Sequence, residues 1–128
     1  MSIRVVRLGT PRSADEGLRL GTVRRPPRGV AKVDFSRLDW YDAWLPELSP
    51  SAELVKLAQA AQSDAEWAAF ARRYRAEMGK PEAEHLLGLL AALSRHTALS
   101  VGCYCERDDR CHRSILRVLL KEHGADMA

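Results

Sequence analysis

The sequence predicts a single small α/β domain, residues 1–128, with a mixed or parallel sheet of three to four strands covered by about four helices. Three observations predict it. Short β-branched or alternating runs stand near both ends of the chain, at residues 3–8 and 97–104. The middle carries apolar residues at helical spacing with cap residues at the ends of each run. Strands at both ends with helices between them is the order of a sheet with helical cover. A chain of 128 residues buries roughly two thirds of its unfolded surface, so it needs no disulfide or metal to fold.

Residues 3–8 (IRVVRL) are closed by Gly9-Thr10-Pro11 and read as the first strand. Residues 18–23 read as a second, with Leu18, Leu20 and Thr22 alternating against polar or small neighbours. Residues 24–29 (RRPPRG) must be a loop, because two prolines remove backbone donors and fix φ. Residues 30–35 alternate weakly and read as another strand or extended segment. Residues 39–50 (DWYDAWLPELSP) mix aromatics and prolines without period, which predicts an irregular segment packing its aromatics on the core.

Ser49 and Pro50 then fit the cap and first turn of a helix whose face is Leu54, Leu57, Ala58 and Ala61. Ser63-Asp64-Ala65-Glu66 is a capping box, with Glu66 reaching back to the cap amide. Behind it Trp67, Phe70, Ala71, Tyr74 and Met78 share a face, Gly79 ends the helix and Pro81 starts the next. Leu86, Leu87, Leu90 and Leu93 are the stripe of that third helix. Residues 97–104 read as a buried strand with Leu99, Val101 and Cys103 on one face, which shields Cys103. The last helix is expected over residues 110–123, burying Ile115, Leu116, Leu119 and Leu120 ahead of a Gly124 cap.

Net charge is +3, and its distribution is uneven. Residues 1–37 carry nine basic and three acidic side chains, whereas residues 38–94 carry five basic and nine acidic ones. Sixteen of the twenty basic residues are Arg, whose planar fork suits phosphate and carboxylate, although a GC-rich genome also favours Arg. An overall +3 does not by itself argue nucleic-acid binding. No apolar run approaches the ~18 residues of a membrane span, and Met1-Ser2-Ile3-Arg4 lacks a signal-peptide hydrophobic region. The expected location is therefore the cytoplasm, with no membrane partner.

Chemistry concentrates in residues 103–113, Cys103-Tyr104-Cys105-Glu106-Arg107-Asp108-Asp109-Arg110-Cys111-His112-Arg113. Three cysteines within nine residues are no secreted disulfide framework but a local cluster of thiols suited to a reducing compartment. The stretch leaves a strand, turns, and enters a helix, which is where α/β sheets usually place ligands. Helix-start amides favour an anion there, Arg113 adds a charged donor, and the same field would activate Cys111 as the reactive thiol.

Four readings of the cluster stay open. Cys103, Cys105, Cys111 and His112 are a possible Cys₃His metal set, although C-x-C is not zinc-knuckle spacing. Cys111-His112-Arg113-Ser114 has the C-x-x-S form of a monothiol redox site, with Cys105 as resolving partner. A catalytic site acting on an anionic substrate would use Cys105, Glu106, Cys111 and His112 as thiol, acid and base. It is not a cysteine phosphatase loop, since Cys105 to Arg110 is C-x₄-R and Glu106, Asp108 and Asp109 would repel phosphate. Finally, the cysteines could be buried hydrophobes and the charges structural ion pairs.

The segment also resembles a family. C-x-C-E-x₄-C-H-R followed by an apolar helix looks like the DUF488 family of uncharacterised bacterial and archaeal proteins. Residues 24–29, residues 44–51 (WLPELSPS) and residues 67–78 (WAAFARRYRAEM) are similar to further family motifs, so the resemblance spans nearly the whole chain. It implies a small cytoplasmic α/β domain and names no activity. Many relatives carry an Asn-His pair where this chain has Cys111-His112, so Cys111 is not a fixture of the family.

The functional expectation is an anion-binding, catalytic Cys/Glu/His/Arg site for a phosphate-containing small molecule such as a nucleotide, or for nucleic acid. Arg24 and Arg28 would meet Arg110 and Arg113 across neighbouring strand ends. The alternative is a non-catalytic phosphate or nucleic-acid binding module whose cysteines are structural or metal-binding. The cofactor is unknown from the sequence, and any metal would fall to Cys103, Cys105, Cys111 and His112. Trp40, Tyr41, Trp44 and Trp67 read as core rather than base-stacking residues, and His85, His96 and His123 as surface groups.

Overall fold

Four strands, β1 (Ile3–Arg7), β2 (Leu18–Gly21), β3 (Ala43–Trp44) and β4 (Leu99–Cys103), form one sheet in the order β1-β4-β2-β3. Every neighbouring pair is parallel. The computed structural model describes residues 2–107 and 109–128; Asp108, one of the carboxylates expected to repel phosphate, lies outside the described residues. Because all strands run the same way, their carboxyl ends share one edge, the edge at which α/β folds place ligands.

The last strand in the chain is central in the sheet. Its five residues are all buried, as a parallel strand flanked on both sides requires. The register pairs Arg7 with Cys103 and Gly21 with Gly102, which fixes what stands beside the cysteine cluster. Gly21 is required for packing. A Cβ there would collide with the Tyr41 ring.

Four helices cover the sheet: α1 (Ala52–Ala60), α2 (Asp64–Met78), α3 (Pro81–Ser94) and α4 (His112–Glu122). Ser63 caps α2 by accepting from the Glu66 amide, while Glu66 accepts from the Gln62 amide and the Ser63 hydroxyl. Phe70, Tyr74, Leu87, Leu90, Leu116 and Leu120 bury against Ile3, Leu20, Leu99 and Val101. At about 25 cal/mol per Å² this apolar burial is the main stabilising term. A second cluster, Leu8, Val23, Tyr41, Cys103 and Cys111, closes the carboxyl edge. Among the described residues no helix is long and apolar enough to cross a membrane.

Several local expectations are corrected. Residues 30–35 hold a 3₁₀ turn, Lys32–Asp34, instead of a strand, and Val33 points to solvent. Residues 39–50 are less irregular than expected: β3 pairs with β2, and Pro46–Leu48 is a 3₁₀ turn. The cap of α1 is Ser51, which accepts from the Leu54 amide, because the Ser49 hydroxyl is used on the carbonyls of Pro46 and Pro50. Helix α4 starts two residues later than expected, since Cys111 at its cap still has extended backbone. Leu18, Leu57 and Leu93 are exposed at the margins of their stripes. Tyr41 is core as expected, while Trp44 is 41% exposed with its ring N–H on the Val23 carbonyl.

Candidate functional site

Cys103 ends the central strand and Cys111 caps α4, and the two sulfurs meet 2.7 Å apart. Helix caps favour Ser, Thr, Asp or Asn, whose oxygen accepts from the second or third amide. The Cys111 thiol makes no such bond. It turns inward against Cys103 instead.

His112 follows at the first residue of α4, only 8% exposed. Its Nε2 lies 2.8 Å from the Thr22 carbonyl. A carbonyl only accepts, so Nε2 carries the proton and donates. Thr22 Oγ1, which donates to the Gly102 carbonyl, stands 3.2 Å from the same nitrogen. The other ring nitrogen, Nδ1, therefore presents its lone pair towards Cys111 Sγ at 3.7 Å. Tyr74 packs edge-on to the imidazole at 5.5 Å, with its hydroxyl donated to the Leu48 carbonyl. The ligand atoms of Cys103, Cys111 and His112 lie within 4.8 Å of one another, so these three residues could hold a metal ion.

Cys105 stands outside this buried group. It is the exposed thiol of the three, and its amide donates to Cys103 Sγ at 3.4 Å. The Arg113 guanidinium, buried to 3% exposure, donates to the Cys105 carbonyl at 2.7 Å. The neighbouring Cys103 and Cys111 thiols draw the Cys105 thiol below its ordinary range against the opposing effect of burial, and the positive charge of Arg113 adds to this. Cys105 and Cys111, and then burial, push Cys103 up. Cys111 is pushed up to about 11: Cys103 draws it down, and Cys105 and burial outweigh that. Burial brings His112 down to about 4. The helix start was expected to activate Cys111; its sulfur is instead buried against the Cys103 thiol, and burial there opposes the thiolate.

The other expected site residues scatter. Glu106 is exposed and faces Arg7 at 3.7 Å. Asp109 pairs with Arg107, so two of the carboxylates expected to repel an anion already have cationic partners. Arg110 turns to α2, paired with Asp64 and lying over the Trp67 ring at 5.8 Å. Arg24 donates to the carbonyls of Pro50 and Ser49 beside the start of α1. Arg28 is exposed. The 24–29 loop is tied to the end of β4 by the Tyr104 hydroxyl, which donates to the Arg25 carbonyl at 2.8 Å. Thr22, Tyr74 and Arg7 are site residues that sequence reasoning missed. The parallel register brings Arg7 and Thr22 there and the packing of α2 on α4 brings Tyr74, and no motif announces either.

A family model described as "Active DUF488-N3 subclade" matches residues 3–124. An uncharacterized protein of Escherichia coli strain K12, YeaO, is 33% identical over 84 residues, covering 66% of this chain and 68% of that protein. No solved structure matches the chain.

Proposed function

The chain belongs to the DUF488 family, and from that premise we propose that it is an enzyme whose reaction centre lies at the carboxyl end of β4. The observation that carries the reading is the split between thiols: Cys105 is exposed, while Cys103 and Cys111 are buried behind it. An exposed thiol over a buried cluster is the arrangement of a nucleophile with a supporting shell. The description of the matching subclade as active supports an enzyme as well.

In this reading Cys105 is the nucleophile and Glu106 the exposed acid or base, with Cys111 and His112 shaping the centre from below. The substrate is anionic and phosphate-containing, a nucleotide above all. Arg113 and the start of α4 would receive its charge, and Arg24, Arg28 and Arg110 would have to turn towards it from the α1 start, the solvent and α2. Three free thiols suit a reducing compartment such as the cytoplasm.

The test is a turnover screen of nucleoside mono-, di- and triphosphates and short oligonucleotides with wild type, Cys105→Ser and Glu106→Gln. Turnover that falls at least tenfold in Cys105→Ser, with the circular dichroism spectrum unchanged, is the expected result. Binding that falls steeply with salt, with no turnover of any substrate, would replace the enzyme with a binding module.

A further inference from the structure

We propose that Cys103 Sγ, Cys111 Sγ and His112 Nδ1 form a three-ligand site for zinc, with the fourth position left open. The inference goes beyond the enzyme reading and does not need it, since a metal can be held without turnover.

Three independent features of the geometry point there. First, two sulfurs and one imidazole nitrogen converge within 4.8 Å from separate elements, the end of β4 and the start of α4. Zinc binds thiolate at about 2.3 Å and imidazole at about 2.0–2.1 Å, which makes a tetrahedral S–N edge of about 3.6 Å. Cys111 Sγ and His112 Nδ1 stand 3.7 Å apart. The two sulfurs, at 2.7 Å, open by about 1 Å to reach the ~3.8 Å of a tetrahedral S–S edge.

Second, the imidazole is already set. Metal-bound histidines almost always donate their other ring N–H to a carbonyl or carboxylate, which fixes tautomer and orientation. His112 does so through the Thr22 carbonyl, and its free lone pair faces the sulfurs. Third, Cys103 Sγ accepts the Cys105 amide, an outer bond of the kind that supports a coordinating thiolate.

The charges agree. Two thiolates and a neutral imidazole cancel a divalent cation, so the filled site is neutral where its ligands are 2%, 2% and 8% exposed. Soft sulfur with nitrogen favours zinc over magnesium or calcium, which take oxygen. Three protein ligands with one open position is the pattern of a reactive rather than a purely structural zinc. Cys105 lies outside the converging group, which leaves that fourth position to water or to a substrate atom.

The test uses the full chain, purified under reducing conditions, stripped by chelator and titrated with zinc against a chromophoric competitor, then with cobalt(II). The expected result is one zinc per chain and a cobalt complex with a thiolate charge-transfer band. Cys105→Ser keeps both. Cys103→Ser, Cys111→Ser and His112→Gln each weaken zinc binding by more than the ~10–100-fold that loss of an outer partner costs. Circular dichroism confirms that each variant is folded, and a variant that does not fold is set aside in favour of the wild-type stoichiometry and spectrum. No stoichiometric zinc on folded wild type, or a cobalt spectrum without the thiolate band, overturns the proposal. So does a Cys105→Ser variant that loses metal as completely as Cys111→Ser. A thiol assay on the denatured chain, isolated without reductant, should count all three cysteines; a count of one, with the disulfide mapped to Cys103 and Cys111 by peptide mass spectrometry, also overturns it.

Discussion

The Thr22 carbonyl accepts the Nε2–H of His112 at 2.8 Å, joining the end of β2 to the first turn of α4 across 90 residues of sequence. That bond decides which nitrogen of the imidazole faces the sulfurs. It depends on the register that places Gly21 opposite Gly102, so the sheet and the site are set by the same pairing.

Accessibility separates the three thiols. In the folded chain a bulky maleimide should modify Cys105 while Cys103 and Cys111, each 2% exposed, are protected. Peptide mass spectrometry after brief labelling reads this directly. Modification of Cys103 or Cys111 as fast as Cys105 would show that the cluster is open.

Arg19 is fully buried and forks onto Glu16, with Nη2 to Oε1 at 2.9 Å and Nε to Oε2 at 3.1 Å. Its Nη1 also donates to the carbonyls of Thr10 and Asp39. Arg19→Met leaves a buried carboxylate unpaired and should destabilise the chain by about 3–5 kcal/mol. The double variant Arg19→Met with Glu16→Leu should recover part of that loss, because it removes the stranded charge. Urea denaturation measures both. A single-variant loss under ~1 kcal/mol would mean that Glu16 is not held in the interior.

Helix limits were largely legible in the chain because they depend on near neighbours. The Ser63 capping box, Gly79 followed by Pro81, and Gly124 at φ +91° stand at the ends where their chemistry places them. The strand at residues 97–104 was legible from alternation. What could not be read is what depends on distant partners. Residues 43–44 become a strand only because β2 offers them an edge. The burial of Arg19 depends on Glu16 and on two carbonyls brought to it by the fold. The cysteine cluster was visible as a motif, but the choice of Cys103, Cys111 and His112 as the converging set needed the turn between β4 and α4. Arg110 was expected at the site because it is near in sequence; Asp64 and Trp67 draw it away.

Asp42 links the carboxyl edge to acid stability. Burial raises its pKa, but bonds from the Arg12 guanidinium, the Arg19 amide and the Ser36 hydroxyl outweigh this and hold the carboxyl below its usual range. A carboxyl depressed in the folded state contributes stability above its unfolded pKa and loses it as pH falls through the folded value. Asp42→Asn should therefore lower stability at neutral pH and leave less to lose between about pH 4 and the acid limit. Denaturation midpoints of both proteins across that range are the check. Parallel curves would exclude Asp42 as the titrating group.

The orientation of His112 is tested most directly by long-range ¹⁵N–¹H correlation spectra of its ring in the folded chain at neutral pH. The Thr22 bond predicts a proton on Nε2 and none on Nδ1, and added zinc should shift the Nδ1 resonance while Nε2 keeps its proton. A ring protonated on Nδ1 would contradict the account, because the imidazole would then have no lone pair to turn towards Cys103 and Cys111.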